Sequence, residues 1–158
     1  MRFIYPGSFD PITLGHLDII KRSSLLCDEL NIGVLENPSK KYSFSTTMKV
    51  DLICKVTKSI GNVKVIACGG LLIDIVKEQK CDCIIKGMRT YMDYELEKQM
   101  AGLNYDLGDG LDTVFLTAST QMQNISSTMV REIGKLGGSL SGLVPDIILE
   151  EVTKQLKS

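Results

Sequence analysis

Histidine is nearly absent from this sequence and tryptophan is absent entirely: the 158 residues include one histidine, His16. A Ser-His-Asp triad or a metal site built on histidines has to use this one residue, and any site that needs two imidazoles is excluded. If imidazole chemistry takes place in this protein, it takes place at His16.

The usual signs of a disulfide framework or a zinc site are missing as well. The five cysteines are odd in number, form no Cys-x-x-Cys pair and have apolar neighbours. This pattern favours buried free thiols in a reducing compartment over either kind of site. The cysteines concerned are Cys27, Cys54, Cys68, Cys81 and Cys83.

The sequence also lacks an excess of charge of one sign and any long hydrophobic run. Lysine and arginine number 18 against 19 aspartates and glutamates, so the broad basic surface typical of nucleic-acid binding is not expected. No apolar run approaches the ~20 residues that cross a bilayer. Residues 2–5 read as a strand and not as the start of a signal peptide. We expect a cytoplasmic protein without nucleic-acid or membrane partners.

What the sequence does contain is a regular alternation of short and long apolar patterns. Short aliphatic runs bounded by Gly, Pro, Asn or Asp predict buried strands, and apolar residues at helical spacing predict helices between them. This alternation favours a doubly wound, Rossmann-like α/β fold, a parallel sheet with helices on both faces formed as a single domain by residues 1–158. Strands are expected at residues 2–5, 30–35, 63–68, 83–86 and 113–116, and helices near 17–25, after an N-cap at Ser45, and at 71–79, 91–105, 127–136 and 145–157.

The segment that follows the first predicted strand is suited to bind an anion. Residues 5–16 contain two prolines and two glycines, which predict a tight loop that leads into a helix. Free N–H groups and the positive end of the helix dipole then point into this loop. Ser8 adds a hydroxyl donor, and His16 is expected to project from the first helical turn toward the same space.

Cations and hydroxyls follow other predicted strands. Parallel sheets bind ligands beyond the carboxyl ends of their strands, where we expect Lys40, Lys86 and Arg89 to hold phosphates. Residues 126–128 precede a helix, where their hydroxyls can cap the N-terminus and receive a phosphate at the same time. Two further cations, Lys41 and Arg131, are given no part in the site: Lys41 is interpreted as solvated, and Arg131 fits a site or a surface position equally well.

Four segments of the chain occur in an order that points to a known family. Residues 13–16, Thr-Leu-Gly-His, are similar to an HxGH phosphate-binding signature, and residues 84–89 to a second motif after the fourth strand. Residues 125–128 are similar to an ISS nucleotide-binding motif, and residues 37–41 lie in the corresponding order. Together they resemble the nucleotidylyltransferase superfamily and, within it, the bacterial phosphopantetheine adenylyltransferase family. The resemblance covers nearly the whole chain.

The resemblance implies an enzyme that transfers the adenylyl group of ATP to 4'-phosphopantetheine. The products would be dephospho-coenzyme A and pyrophosphate, a step of coenzyme A biosynthesis. It also implies that His16 is the catalytic residue, which stabilises charge on the α-phosphate. The implied acceptor-binding residues are Ser8, Lys40, Leu72 and Lys86, and the implied ATP-binding residues are Ser8, Phe9, His16, Gly87, Met88, Arg89, Glu97, Met122, Gln123, Asn124, Ile125, Ser126, Ser127 and Thr128.

Further expectations come from the resemblance alone. Mg²⁺ should accompany ATP as cofactor, held by phosphates and water, so no metal-binding side chains are expected. The family forms homohexamers, and coenzyme A is an expected feedback ligand.

Two departures from the family pattern and two alternative functions accompany these expectations. Met122, Gln123 and Asn124 occupy positions where family members often have aromatic residues. Lys86 occupies a position where the family commonly has arginine, so a bidentate phosphate clamp becomes a single point charge. One alternative is a related nucleotidylyltransferase with another acceptor, such as nicotinamide mononucleotide or glycerol phosphate. The other is a nucleotide-binding regulatory module without turnover. Ser8, Lys40 and His16 together favour an enzyme.

Overall fold

The computed structural model describes residues 1–157, and its centre is a five-stranded parallel sheet. The chain winds outward from the first strand to the third, then returns to pair the fourth strand with the free side of the first. The winding therefore reverses between the first and fourth strands, where sheets of this kind bind ligands. The strands are β1 (Arg2–Gly7), β2 (Glu29–Leu35), β3 (Val63–Cys68), β4 (Cys83–Met88) and β5 (Asp112–Thr117), in the order β3-β2-β1-β4-β5.

Helices cover both faces of the sheet, and hydroxyl side chains cap several of them. The side chains of Thr13, Ser45, Thr90 and Ser126 each accept a hydrogen bond from a backbone N–H in the first turn of a helix. Within residues 1–157, no helix combines the length and apolar character needed to span a bilayer. The helices are α1 (Leu14–Ser24), α2 (Thr46–Thr57), α3 (Leu72–Gln79), α4 (Tyr91–Leu107), α5 (Ser127–Lys135) and α6 (Leu149–Lys157), with short 3₁₀ turns at Thr120–Met122 and Asp146–Ile148.

Alternation along β1 divides the core between the two faces of the sheet. Phe3 and Tyr5 pack into a larger cluster with residues of α1, α2, α5 and α6. Ile4 packs into a smaller cluster with residues of α3, and it is joined there by Ile84 of β4. Successive side chains of a strand point to opposite faces, so burial on both sides is what a doubly wound sheet requires. The predicted fold class is confirmed.

The predicted elements occur where the sequence places them, with differences at some ends. β1 and β4 each continue two residues beyond their predicted ends, because Gly7 still pairs with Val34 and Met88 with Thr117. Pro145 does not open the last helix. The Pro145 carbonyl accepts from the Ile148 N–H in a 3₁₀ turn. This turn ends at Ile148, and α6 begins at Leu149.

The expectation that every cysteine is buried is wrong for Cys54. Cys68, Cys81 and Cys83 are buried, whereas Cys27 is half-buried and Cys54 is exposed on α2. Neighbouring residues of a helix are turned by about 100° from each other, so the core-facing Ile53 leaves Cys54 outside. All five are free thiols.

We expect Ile84→Ala to lower the free energy of unfolding by about 2–5 kcal/mol, because the change removes buried methyl groups and leaves a cavity. Ile84 is fully buried, whereas Ile147 in the turn before α6 is 66% exposed. The same substitution at Ile147 should change stability by no more than about 0.5 kcal/mol. Urea unfolding followed by circular dichroism measures both variants, and equal losses would contradict this description of the core.

Candidate active site

A pocket of about 480 Å³ opens at the carboxyl ends of β1 and β4. It is enclosed by the loop between β1 and α1, the segment after β2, and the first turns of α4 and α5. Helix N-termini supply free N–H groups and a positive potential at this edge of the sheet. The pocket therefore has the position and the polarity of an anion site.

Thr13 and His16 fix the entry to α1 through reciprocal hydrogen bonds. The Thr13 hydroxyl accepts from the His16 backbone N–H at 3.3 Å, and the Thr13 backbone N–H donates to Nδ1 of the His16 ring at 3.1 Å. A ring nitrogen that accepts a hydrogen bond carries no proton, so the neutral imidazole holds its proton on Nε2. The cap leaves Nε2–H as the ring donor for a ligand in the pocket.

An aromatic wall supports the imidazole from behind. The Phe9 ring lies 5.0 Å from the His16 ring and 5.5 Å from the Tyr5 ring, edge to face in both cases. Phe9 is almost fully buried with a φ of 46°, in the left-handed region. A Cβ at Gly7 would lie 3.0 Å from the Phe9 ring, so the glycine allows the ring to reach this place.

The pocket contains neutral donors beside its cations. Burial, aided by the Arg89 guanidinium, lowers the pKa of His16 from 6.5 to about 4. Burial raises the pKa of Tyr5 well above its ordinary value, so its phenol keeps its proton. Both side chains are therefore uncharged at neutral pH and able to donate a hydrogen bond.

Arg89 is held between two parts of the site. Its Nε lies 3.3 Å from Oδ2 of Asp93, and its Nη1 donates to the Ile125 carbonyl at 3.4 Å. Asp93 also completes a capping box with Thr90 at the start of α4. The guanidinium thus bridges the first turn of α4 and the segment before α5, and it has further N–H groups for a phosphate.

The hydroxyls at the start of α5 have separate local partners. Ser126 caps the helix by accepting from the Met129 N–H at 3.1 Å, and the Ser127 hydroxyl donates to the Pro11 carbonyl at 2.8 Å. The Thr128 hydroxyl accepts from Nη2 of Arg131. Capping and lining the pocket occur together here, as the sequence indicates.

Asp10 connects three segments that surround the pocket. Its nearly buried carboxylate accepts from the backbone N–H groups of Ser43 and Phe44 at 3.0 and 2.9 Å. Nη1 of Arg131 donates to the Asp10 carbonyl and lies 3.6 Å from its carboxylate. The β1–α1 loop, the segment after β2, and α5 are therefore joined at one residue.

The structure brings most of the predicted site residues together and leaves others outside the pocket lining. Lys86 pairs with Glu97 across 3.0 Å, and only Glu97 lines the pocket. Leu72 packs beside the smaller core cluster, while Phe9 and Met88 are buried and do not line the pocket. Residues 122–124 belong to the 3₁₀ turn before α5 and its continuation. The predicted residues that line the pocket are Ser8, His16, Lys40, Gly87, Arg89, Glu97, Ile125, Ser126, Ser127 and Thr128.

Sequence reasoning missed several residues of the lining. Arg131 was detectable, because it lies three residues after Thr128 and therefore on the same face of the helix. Tyr5 was detectable as the last aromatic of the first strand. Asp10 gave no local signal, since its partners Ser43 and Phe44 are distant in sequence. Tyr42 follows no helical or strand spacing, although its partners Asn37 and Lys49 are near it in sequence. The lining residues that the sequence reasoning left out include Tyr5, Asp10, Thr13, Lys41, Tyr42 and Arg131.

The carboxylates of the pocket already have partners. Asp10 accepts two backbone N–H bonds, Asp93 pairs with Arg89, and Glu97 pairs with Lys86. In the part of the chain described, residues 1–157, no group of three or more His, Cys, Asp or Glu side chains could hold a metal ion. This donor set fits a cation that arrives on phosphate oxygens and keeps its water ligands.

Comparison with known proteins gives a consistent result. The family model described as cytidylyltransferase-like matches residues 4–133. A phosphopantetheine adenylyltransferase from Clostridium botulinum (strain 657 / Type Ba4) is 46% identical over 153 residues, 97% of this chain and 93% of that protein. One from Clostridium kluyveri is 47% identical over 154 residues, 98% of this chain and 94% of that protein.

A solved structure shares the fold at lower sequence identity. A Vibrio parahaemolyticus protein assigned as a nicotinate-nucleotide adenylyltransferase superimposes with a TM-score of 0.67 at 17% identity. The match covers 98% of this chain and 94% of that one. At this identity the match shows a shared fold.

We expect the His16 imidazole to titrate near pH 4, as the lowered pKa indicates. Because the chain has a single histidine, one Cε1–H signal in a proton NMR titration reports it without assignment. Between pH 4 and the ordinary value near 6.5 the unfolded chain binds the additional proton, so stability falls as the pH drops through this window. A midpoint near 6.5 in the folded protein would contradict a neutral, partly buried imidazole.

Proposed function

The chain belongs to the phosphopantetheine adenylyltransferase family, and from that premise we propose that its pocket transfers the adenylyl group of ATP to 4'-phosphopantetheine. The observation that carries the proposal is the His16 ring, which Thr13 holds as a neutral Nε2–H donor in a pocket that also contains Arg89 and the start of α5. The products are dephospho-coenzyme A and pyrophosphate, as in coenzyme A biosynthesis.

The reaction needs alignment and charge stabilisation more than covalent chemistry. A phosphate oxygen of the acceptor attacks the α-phosphorus of ATP, a new P–O bond forms, and the bond to the β-phosphate oxygen breaks as pyrophosphate leaves with the electron pair. The attacking oxygen is already ionised, so no base and no enzyme-bound intermediate are required. His16 Nε2–H donates to an α-phosphate oxygen, where negative charge develops in the transition state.

In this proposal, one group of residues binds ATP and another binds the acceptor. Arg89 and the hydroxyls of residues 126–128 hold the phosphates of ATP, since they converge at two helix N-termini. Ser8 and Lys40, which also line the pocket, are assigned to the acceptor phosphate. Lys86 is assigned to the same phosphate as a point charge, and its ammonium pairs with Glu97 of the pocket lining.

Other predicted contacts remain part of the proposal on the strength of the family resemblance. Leu72 is assigned to the pantetheine arm. Residues 122–124, together with Phe9 and Met88, are assigned to the adenosine. Mg²⁺ would enter on the triphosphate and neutralise part of its charge, which the occupied carboxylates of the pocket support.

Assembly, regulation and compartment extend the proposal. We propose a homohexamer, supported by α4, which buries only Asn104 and exposes apolar side chains along its length. The exposed apolar residues of α4 include Tyr91, Met92, Leu96, Met100, Leu103 and Leu107.

Coenzyme A, which contains both the pantetheine arm and the adenylate, is proposed as a feedback ligand of the same pocket. We also propose a cytoplasmic location, which the free thiols of the cysteines support.

Pyrophosphate release from ATP, measured with several acceptors, tests the function. We expect release with 4'-phosphopantetheine to be faster than with nicotinamide mononucleotide or glycerol phosphate, and a chelator of Mg²⁺ to stop it. Equal or faster release with another acceptor would identify a different nucleotidylyltransferase. Absence of release with every acceptor, together with retained ATP binding, would identify a regulatory module.

We expect His16→Ala to lower kcat by about 10²–10³-fold, because its hydrogen bond strengthens only in the transition state. The Kd for ATP, measured by calorimetry, should change little. His16→Gln serves as a control, since its amide N–H restores part of the donor. A parallel loss of kcat and ATP affinity would show a ground-state or structural role instead.

A further inference from the structure

Lys49 is an anomaly among the buried residues of this protein. It lies in the first turn of α2, its side chain is 1% exposed, and its Nζ has no hydrogen-bond partner anywhere in residues 1–157. Burying an unpaired ammonium is costly, and the positive end of a helix dipole adds to the cost. A methionine of similar length would fill the same space without either penalty. The ammonium therefore does not contribute to stability in any direct way.

The surroundings of Lys49 show what its charge contacts. Its Nζ lies 3.8 Å from the centroid of the Tyr42 ring, in the geometry of a cation–π interaction. Burial lowers the pKa of Lys49, while the carboxylates of Asp10 and Glu36 oppose that change. The ring and the two carboxylates together favour the charged form.

Tyr42 in turn closes the segment that carries Lys40. Its hydroxyl accepts from the backbone N–H of Asn37 at 2.9 Å, which ties the two ends of residues 37–42 together. The Asn37 side chain accepts from both the N–H and the hydroxyl of Ser39 inside this segment. We refer to residues 37–42 as the acceptor loop. Tyr42, Lys40 and Lys41 all line the pocket.

The acceptor loop has a second anchor immediately after its end. The backbone N–H groups of Ser43 and Phe44 donate to Asp10, so the chain beyond Tyr42 is fixed to the β1–α1 loop. The anchor at Asp10 fixes the main chain, whereas only Lys49 supports the Tyr42 ring from within the fold through its charge. Loss of that charge would free the ring and the exposed loop with it.

We propose that Lys49 is a positioning residue, whose buried ammonium holds the Tyr42 ring and thereby the acceptor loop that presents Lys40 to the acceptor phosphate. The proposal rests on the function proposed above and adds to it a residue that touches neither substrate. It predicts that the charge of Lys49 strengthens binding of the acceptor and lowers the stability of the folded protein.

Lys49→Met tests the proposal, with Lys58→Met as a matched control that removes an exposed lysine from the end of the same helix. We expect the KM for 4'-phosphopantetheine to rise about tenfold, on the scale of a lost desolvated cation–π contact. The KM for ATP should stay unchanged, and the Tm should stay the same or rise. Lys49→Arg, which keeps a cation over the ring, should restore the acceptor KM.

A second variant tests the path through the ring. Tyr42→Leu should raise the acceptor KM as Lys49→Met does, and the double variant should be no worse than either single one, because both remove the same interaction. An unchanged acceptor KM in Lys49→Met overturns the proposal. A lower Tm with equal increases in both KM values also overturns it, since it shows a structural role.

Tryptic cleavage without substrates separates failure of this proposal from failure of the proposed function. Trypsin cuts faster after Lys40 or Lys41 when the acceptor loop is less firmly held, and mass spectrometry identifies the cut. We expect faster cleavage there in Lys49→Met than in wild type or Lys58→Met. If wild type turns over no acceptor, the proposed function fails while cleavage still reports the loop. Equal cleavage in all three proteins overturns the role of Lys49.

Discussion

The hydrogen bond from the Thr13 backbone N–H to His16 Nδ1 is the contact on which the candidate site depends. It belongs to the cap that starts α1, so the same bond sets the beginning of the helix, the direction of the imidazole and the nitrogen that keeps the proton. A histidine elsewhere on the helix would lack a backbone donor to fix its tautomer. Local folding and chemical function are thus inseparable at this position.

Charge burial around the pocket follows a consistent arrangement. The site uses neutral donors, His16 and Tyr5, next to the guanidinium groups of Arg89 and Arg131, which have partners within the fold. Asp10 is buried and accepts hydrogen bonds from backbone N–H groups, whereas the buried Lys49 ammonium has no hydrogen-bond partner in residues 1–157 and lies over the Tyr42 ring. The Lys49 ammonium contacts the ring of Tyr42 in the exposed acceptor loop. This loop has no hydrophobic core of its own, so its position depends on contacts with the rest of the fold.

Local sequence signals predicted the framework, and long-range contacts account for most of what they missed. The alternation of strand-like and helix-like apolar patterns predicted the fold. Hydroxyl residues before the apolar runs predicted the helix N-caps at Ser45 and Ser126. The motif around His16 predicted its place at the helix entry. The Asp10 carboxylate accepts from residues 43 and 44, which are distant from it in sequence. The Lys49–Tyr42 contact is closer in sequence, but it joins a helix to a loop, so no periodic spacing reports it.

The ion pair between Lys86 of β4 and Glu97 of α4 has a thermodynamic consequence. A lysine ammonium is a single compact charge, unlike a guanidinium that can bind two carboxylate or phosphate groups through separate edges. An anion that binds the Lys86 ammonium weakens the ion pair between Lys86 and Glu97. A ligand that binds the Glu97 carboxylate likewise frees Lys86 from this ion pair. Linkage makes this coupling reciprocal, so two ligands that meet these groups alter each other's affinity by the same factor. One side-chain pair can therefore make the binding of two partners interdependent without any change in the fold.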